Sequence, residues 1–233
     1  MQNLSGAWED EAHNWMQFVR TPGHDHYRER FNWPAFVTLL PPPAGATLDL
    51  GCGEGRAGGQ LRALGHAPIV GVDAAPTLAA AARATGGYDE VHEADAAALP
   101  LGDEAFALVT AFMSLHDVDD LEGVVREAAR VLAPGGHLCA AVPHPHSSAR
   151  FTGRPYFEAH RYAATVSRGG IDMTFHSMHR PLEELWAAFA AAGFVLEQLR
   201  EPVPDDDYLA DHPEVAEARD RPIFLQLRAR LES

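Results

Sequence analysis

The segment Asp49-Leu50-Gly51-Cys52-Gly53-Glu54-Gly55 constrains the fold of this chain more than any other feature. Thr47-Leu48-Asp49-Leu50 before it reads as a strand, and Gly58 to Leu64 after it reads as a helix. Glycines at a strand-to-helix turn let backbone amides approach a ligand closely, at the crevice above the strand ends. From about residue 46 onward the sequence alternates short apolar runs with helical stretches, the pattern of a parallel sheet covered by helices. Pro68 to Asp73 is a second strand, and Pro76 suits the first turn of an alanine-rich helix through Arg83. Tyr88 to Glu93 is a weak third strand. Phe106 to Phe112 is a fourth, with the continuous apolar character expected when both faces are covered. Asp119 or Asp120 can cap the next helix, which carries Leu121, Val124, Val125, Ala128 and Leu132 on one face and stops at Pro134-Gly135-Gly136. Leu138 to Val142 is the fifth strand.

Beyond it the rhythm fails from Pro143 to about Arg180, a stretch rich in His, Arg, Tyr, Phe and Gly. A loop or small subdomain of that length inside a compact fold is usually functional. Pro181 to Ala192 returns to helix and Phe194 to Leu199 to strand. Glu201 to Asp220 is acidic and proline-bearing, a surface excursion. Ile223 to Ala229 alternates as a last edge strand should. The first 45 residues interleave Trp8, Trp15, Phe18, Tyr27, Phe31, Trp33 and Phe36 with charges, which amphipathic helices laid over the ligand edge of the sheet would explain.

Composition narrows the chemistry. With 233 residues the chain suits one domain with a real core. The net charge of −15 repels phosphate backbones and anionic lipid. There is no lysine, so every chemistry needing a lysine nucleophile, Schiff base or phosphate-loop ammonium is excluded. The start has no basic and apolar leader pattern, and no apolar run is long enough to span a bilayer. Cys52 and Cys139 are too few for a disulfide framework or zinc ribbon, so reduced thiols in a cytoplasmic protein are expected.

The glycines admit two registers. Gly53-Glu-Gly55-Arg-Ala-Gly58 fits the dinucleotide fingerprint, with Asp73 placed as the later acid. The alternative starts at Gly51. It is favoured by Asp49 directly before it and by a first strand that has already ended when Gly51 arrives. In that register Leu48 to Gly55 resembles the first motif of class I S-adenosylmethionine-dependent methyltransferases, and later segments agree in order and spacing. Val70-Gly71-Val72-Asp73 resembles the strand end whose acid holds the ribose hydroxyls. Ala94-Asp95-Ala96 with Leu99-Pro100-Leu101 resembles the turn around adenine. Phe106 to His116 resembles the fourth-strand motif, and Arg130 to Gly136 the helix and turn before strand five.

The resemblance implies an α/β, doubly wound Rossmann-like seven-stranded sheet with its last strand antiparallel, an N-terminal helical cover and a lid insertion after strand five. The expected division is a single domain over 1–233: cover 1–45, cofactor-binding half 46–142, lid and acceptor insertion 143–180, and C-terminal helix and strands 181–233. It implies S-adenosyl-L-methionine as cofactor, held by Tyr27, Asp49, Gly51, Cys52, Gly53, Gly55, Asp73, Ala74, Asp95, Ala96, Ala111, Phe112 and Met113. Asp73 would accept both ribose hydroxyls, and Asp95 the adenine amine while the Ala96 amide donates to the ring. Asp49 would order the glycine loop or meet the methionine amine, and Tyr27 would meet the carboxylate.

Ala107 departs from the family by standing where relatives often carry Asp. Ala111-Phe112-Met113-Ser114 replaces the Asn-Pro-Pro-aromatic signature of nucleic-acid amino-methyltransferases, and Pro143-His144-Pro145-His146 replaces the Asp and Asp-Asn set of metal-dependent catechol enzymes. A small-molecule acceptor follows, with no nucleic acid and no membrane as partner. Methylation of O, N or C fits equally, and paired N-terminal helices offer a route to a homodimer. Methyl transfer needs an in-line nucleophile, and an acidic acceptor also needs a base, for which His116 and His144 at adjoining strand tips are the candidates. Thirteen histidines invite a metal, yet no carboxylate or cysteine pattern with ligand spacing accompanies them, so none is expected. Arg150, Arg154, Tyr156, Phe157, Tyr162, Met173 and Phe175 would line a lid suited to a flat or carboxylated acceptor. Arg20, His24, His26 and Tyr27 flank a Pro-Gly turn that could close over the methionine end. Two rivals remain: a nicotinamide-dinucleotide oxidoreductase, which lacks the Tyr-x-x-x-Lys pair here, and a noncatalytic cofactor-binding partner subunit.

Overall fold

The computed structural model describes residues 2–232. In chain order the elements are α1 (Leu4–Arg20), a π-helical turn (Arg28–Asn32), α2 (Trp33–Val37), β1 (Thr47–Leu50), α3 (Arg56–Ala63), β2 (Ile69–Asp73), α4 (Pro76–Ala84), β3 (Glu90–Glu93) and β4 (Phe106–Phe112). There follow a 3-10 turn (Leu115–Asp117), α5 (Leu121–Val131), β5 (Leu132–Pro143), α6 (Pro145–Thr152), β6 (His160–Arg168), β7 (Ile171–His179), α7 (Leu182–Ala191), β8 (Phe194–Arg200), α8 (Asp206–Asp211), a second 3-10 turn (Pro213–Arg219) and β9 (Phe224–Leu231).

The main sheet has seven strands in the order β3-β2-β1-β4-β5-β9-β8, with β9 antiparallel to both its neighbours. The order reverses between β1 and β4, so the carboxyl ends of these strands open a crevice where α/β sheets bind ligands. One face is closed by α5 and α7, which set Val124, Val125, Ala128, Leu185 and Phe189 against β1, β4 and β5. The other face is closed by Trp33, Phe36 and Leu39 against Leu61, Ile69, Leu108, Cys139 and Ala141. A separate antiparallel hairpin, β6–β7, stands beyond the sheet and packs on α1. It provides the insertion expected after strand five.

β1 and β4 have the expected bounds; other expectations need correction. Ile223 to Ala229 reads as an edge strand, yet β9 lies between β5 and β8, and β8 is the edge. The misleading residue is Gln226, which makes the run alternate. Its side chain is fully buried and its Nε2 donates to Asn32 O (2.7 Å) and Asn32 Oδ1 (2.9 Å), which satisfies the amide nitrogen inside the sheet, while Oε1 finds no partner among the described residues. Residues 201–220 are no plain surface excursion either. Asp205 caps α8 by accepting from the Tyr208 amide at 2.7 Å, and Tyr208, Leu209, Val215 and Ala218 are buried against Phe31 and Phe224. The outward acids Asp206, Asp207 and Asp211 mask that apolar side. The helix before strand five ends at Val131, not at Pro134-Gly135-Gly136, and β5 starts at once with Leu132. The weak third strand loses Tyr88, which turns inward beside the glycine loop. The first 45 residues split in role. α1 lies over the hairpin and α4, whereas Trp33 to Leu39 are part of the core.

Candidate functional site

β1 leads into α3 through the glycine loop. Gly51 has φ +74°, and a Cβ built on it would come within 2.4 Å of Ser114 Cβ, so only glycine passes here. Ser114 Oγ in turn donates to Leu50 O at 2.6 Å, tying the tip of β4 to the loop. Asp49 is buried beneath the loop, where it accepts from Tyr88 Oη at 2.6 Å and Thr110 Oγ1 at 3.0 Å. Tyr88 Oη also accepts from the Gly58 amide at 3.0 Å, so Asp49 holds the start of α3 through Tyr88. Burial pushes the Asp49 carboxyl up from its ordinary range. Of the two expected roles for Asp49, loop ordering is the one this bonding serves.

Asp73 ends β2. Its Oδ2 accepts from the Gly53 amide at 2.8 Å and its Oδ1 from the Ala75 amide at 2.9 Å, so one carboxylate couples the glycine loop to the start of α4. Burial raises it to about 6, against the pull of those two amides. Asp95 accepts from the Ala97 amide at 2.9 Å, shaping the turn after β3.

Asp49, Gly51, Gly53, Asp73, Asp95 and Ser114 line one cavity of about 580 Å³, within the range of small-molecule sites. Its roof is the N-terminal segment. Trp15 Nε1 donates to Glu54 Oε2 at 2.6 Å, and Arg56 bridges Glu54 (2.5 Å) and Asp25 (2.7 Å). Arg28 enters the cavity wall from the π-turn, over the rings of Trp33 (4.7 Å) and Phe112 (5.5 Å), with one nitrogen donating to Gln60 Oε1 at 2.6 Å. Burial and the neighbouring Arg56 lower it to about 10, so it stays charged at neutral pH.

The far end lies between the tip of β4 and the β6–β7 hairpin. Tyr162 and Ser177 sit opposite each other across the hairpin, and Ser177 Oγ donates to Asp117 Oδ1 at 2.8 Å. His116 Nε2 is 3.3 Å from the same oxygen, and its Nδ1 is buried with no partner. Burial and Arg180 push His116 down to about 3, while burial drives Asp117 well up, so imidazole and carboxyl both favour their neutral forms.

Of the expected cofactor residues, Tyr27, Asp49, Gly51, Cys52, Gly53, Asp73, Ala74, Asp95, Ala96, Phe112 and Met113 line the cavity, and so does His116. Gly55 and Ala111 do not: Gly55 begins α3 facing α4, and Ala111 is buried within the sheet. His144 lies outside as well. It caps α6 by accepting from the His146 amide at 3.1 Å, with Nε2 3.0 Å from Glu201. In the insertion, Tyr162 and Phe175 line the cavity but the expected cations do not. Arg150 pairs with Glu217 at 2.7 Å, and Arg154 points elsewhere. Tyr156 accepts from the Leu182 amide, Phe157 is 82% exposed, and Met173 is buried beneath α1. Near the Pro-Gly turn, His24 and Tyr27 reach the cavity while His26 is buried against Tyr208. Sequence reasoning named Trp15 and Glu54 only as part of the cover and of the glycine motif, and it missed Arg28, Asp25 and Ser177 as cavity residues. The contacts that bring Trp15 to Glu54, Asp25 to Arg56, Arg28 to Gln60 and Ser177 to Asp117 join residues distant along the chain, and no local spacing announces them. Among the described residues no group of His, Cys, Asp or Glu is arranged to hold a metal, and no helix is long and apolar enough to cross a membrane.

Comparison with known proteins agrees with this geometry. A family model described as "Methyltransferase domain" matches residues 48–140. The ubiquinone/menaquinone biosynthesis C-methyltransferase UbiE of Desulfotalea psychrophila is 31% identical over 200 residues, covering 77% of this chain and 76% of that protein. The 27-O-demethylrifamycin SV methyltransferase of Amycolatopsis mediterranei is 34% identical over 118 residues, covering 46% of this chain but only 43% of that enzyme. Among solved structures, an S-adenosylmethionine-dependent methyltransferase from Mesorhizobium loti superposes with a TM-score of 0.68 at 28% identity, covering 85% of this chain and 97% of that one.

Proposed function

The chain belongs to the class I S-adenosylmethionine-dependent methyltransferases, and on that premise we propose that it methylates a small-molecule acceptor within the cavity under α1 and the hairpin. The observation that carries this reading is Asp73, a carboxylate at the tip of β2 that faces the cavity beside a glycine loop too tight for any side chain at Gly51. This donor and acceptor set suits a nucleoside without phosphate: an acid for the ribose hydroxyls, backbone amides, and no lysine. Asp95 and the Ala96 amide serve the adenine edge. Arg28 supplies the charge that a methionine carboxylate needs, with Tyr27 beside it.

When bound, S-adenosylmethionine supplies a methyl group whose bond to sulfur breaks as the acceptor's electron pair forms the new bond. The chain's part is to align the two partners and exclude water, which the Trp15–Glu54–Arg56–Asp25 ties accomplish by fastening α1 and the following loop over the site. An acceptor oxygen or nitrogen becomes strongly acidic as it is alkylated, so a weak, neutral base suffices to take its proton. His116, whose ring lines the cavity, is the residue we assign to that role, and His144, which caps α6 outside the lining, is not assigned it.

Calorimetric titration tests the reading. S-adenosylmethionine and S-adenosylhomocysteine should bind saturably, NADH should give no heat, and Asp73→Ala should weaken nucleoside binding at least about tenfold, the loss of one charged hydrogen bond. NADH binding without the sulfur nucleosides would sink it.

A further inference from the structure

We infer that the acceptor is an uncharged ring compound bearing a hydroxyl, anchored through that oxygen by Tyr162 and the Asp117–Ser177 pair. The inference rests on the methyltransferase reading and concerns only the far end of the cavity. Phe151 packs on Tyr162 there, ring centroids 6.0 Å apart, and Met113, Phe175, Ile223 and Phe224 continue the cavity wall, a lining of ring faces and aliphatic groups that favours a flat, apolar body.

The charged groups decide the rest. Three arginines line the cavity among the described residues, Arg28, Arg56 and Arg168. Arg56 is spent on Glu54 and Asp25, Arg168 donates to His24 O, and Arg28, over Trp33 and Phe112 and in the field of Asp25, Glu54 and Asp49, is the cation assigned above to the methionine carboxylate. Arg180, behind the far end, is committed to Val118 O (2.7 Å) and Asp119 O (3.1 Å). A carboxylated acceptor, one of the two kinds that the insertion's arginines suggested, would therefore be buried without a counter-charge. A cationic acceptor fares no better. Asp119 is paired with Arg161 at 2.5 Å and accepts from the Leu4 amide at 3.0 Å, and Asp120 caps α5 through the Gly123 amide at 2.8 Å. Asp117 remains, a carboxyl that burial holds toward its neutral form. The Asp117 carboxyl, the Ser177 hydroxyl 2.8 Å from it and the Tyr162 phenol across the hairpin from Ser177 form a cluster whose members give and receive hydrogen bonds and which burial disposes against charge, and a hydroxyl matches it.

The test uses three probes that share a ring: 2-naphthol (uncharged), 2-naphthoate (anionic) and 2-naphthylmethylamine (cationic), each titrated calorimetrically at pH 7 into the full chain saturated with S-adenosylhomocysteine. Naphthol should bind about tenfold or more tightly than either charged probe, the penalty expected for an uncompensated buried charge. Tyr162→Phe should weaken naphthol about fivefold, the worth of one neutral hydrogen bond, with S-adenosylhomocysteine affinity unchanged. Asp117→Asn, which keeps a neutral donor and acceptor, should retain more naphthol affinity than Asp117→Leu. The inference is overturned if naphthol does not bind, if either charged probe binds as tightly, if Tyr162→Phe leaves naphthol unaffected, or if Asn and Leu at position 117 are equally damaging. Failure of S-adenosylhomocysteine itself to bind would instead overturn the methyltransferase reading.

Discussion

On the proposed reading, in which Asp73 accepts the ribose hydroxyls, this one residue should set both affinity and its pH dependence. Its carboxyl is raised from 3.8 to about 6 by burial. A folded-state value above the unfolded one means that the stability this group contributes is present below about pH 4 and lost as pH rises through about 6. The ionised form is the stronger acceptor for ribose hydroxyls, so S-adenosylhomocysteine should bind progressively more weakly as pH falls through about 6. Asp73→Asn should flatten that slope, and calorimetry between pH 5 and 8 would show it. An unchanged slope in the variant would assign the effect elsewhere. His116 carries the opposite expectation. Burial holds it near 3, so its ring Cε1–H resonance should not move between pH 5 and 8 in an NMR titration, whereas an ordinary histidine would titrate there. A midpoint near 6.5 would show that the site is wetter and His116 more basic than the packing implies.

At the scale of elements, the site depends on how α1 is fastened. Glu9 accepts from the Thr77 amide (3.0 Å) and Thr77 Oγ1 (2.6 Å) at the start of α4. Trp8 Nε1 donates to His176 O on the hairpin at 3.0 Å, and Trp15 reaches Glu54 in the glycine loop. One helix thus bridges α4 and the glycine loop to the β6–β7 hairpin. Trp15→Phe keeps most of the ring packing with Phe18 and Phe175 but deletes a hydrogen bond to a charged acceptor. Trypsin cleavage after the exposed Arg20 should then accelerate about tenfold in the empty protein, and bound S-adenosylhomocysteine should restore much of the protection. Equal cleavage rates in variant and wild type would mean that α1 is held by its apolar contacts alone. The sequence announced this helix as amphipathic, but its partners lie far along the chain and could be identified only when the elements were assembled.

For the whole molecule, the core is built from both ends of the chain. Phe36, fully buried against Phe112 and Trp33, closes one face of the sheet although it belongs to the N-terminal segment read as a cover. Phe36→Ala should cost about 3–5 kcal/mol, read as a lower urea midpoint with the slope unchanged. A loss below about 1 kcal/mol would return Trp33 to Leu39 to the status of a surface cover. β9 likewise brings the C-terminus into the middle of the sheet, where Gln226 meets Asn32. Both N-terminal and C-terminal residues therefore contribute to the stability of the seven-stranded sheet.

The local order of strands and helices through residues 46–142, the glycine turn and the acid at the end of β2 were legible in the sequence, because each depends on short-range backbone constraints and a pattern only a few residues long. Most of the residues expected at the cofactor line the cavity for the same reason. What the tertiary structure decided is everything that depends on which distant side chains meet. Arg28 of the N-terminal segment enters the cavity wall, while Arg150 of the insertion, expected to face the acceptor, is drawn off to Glu217. His144 becomes a helix cap, while His116 gains Asp117 and, through it, Ser177 of the hairpin. Burial also moves these groups toward neutrality, and desolvation is a property of the assembled molecule that a linear sequence does not display.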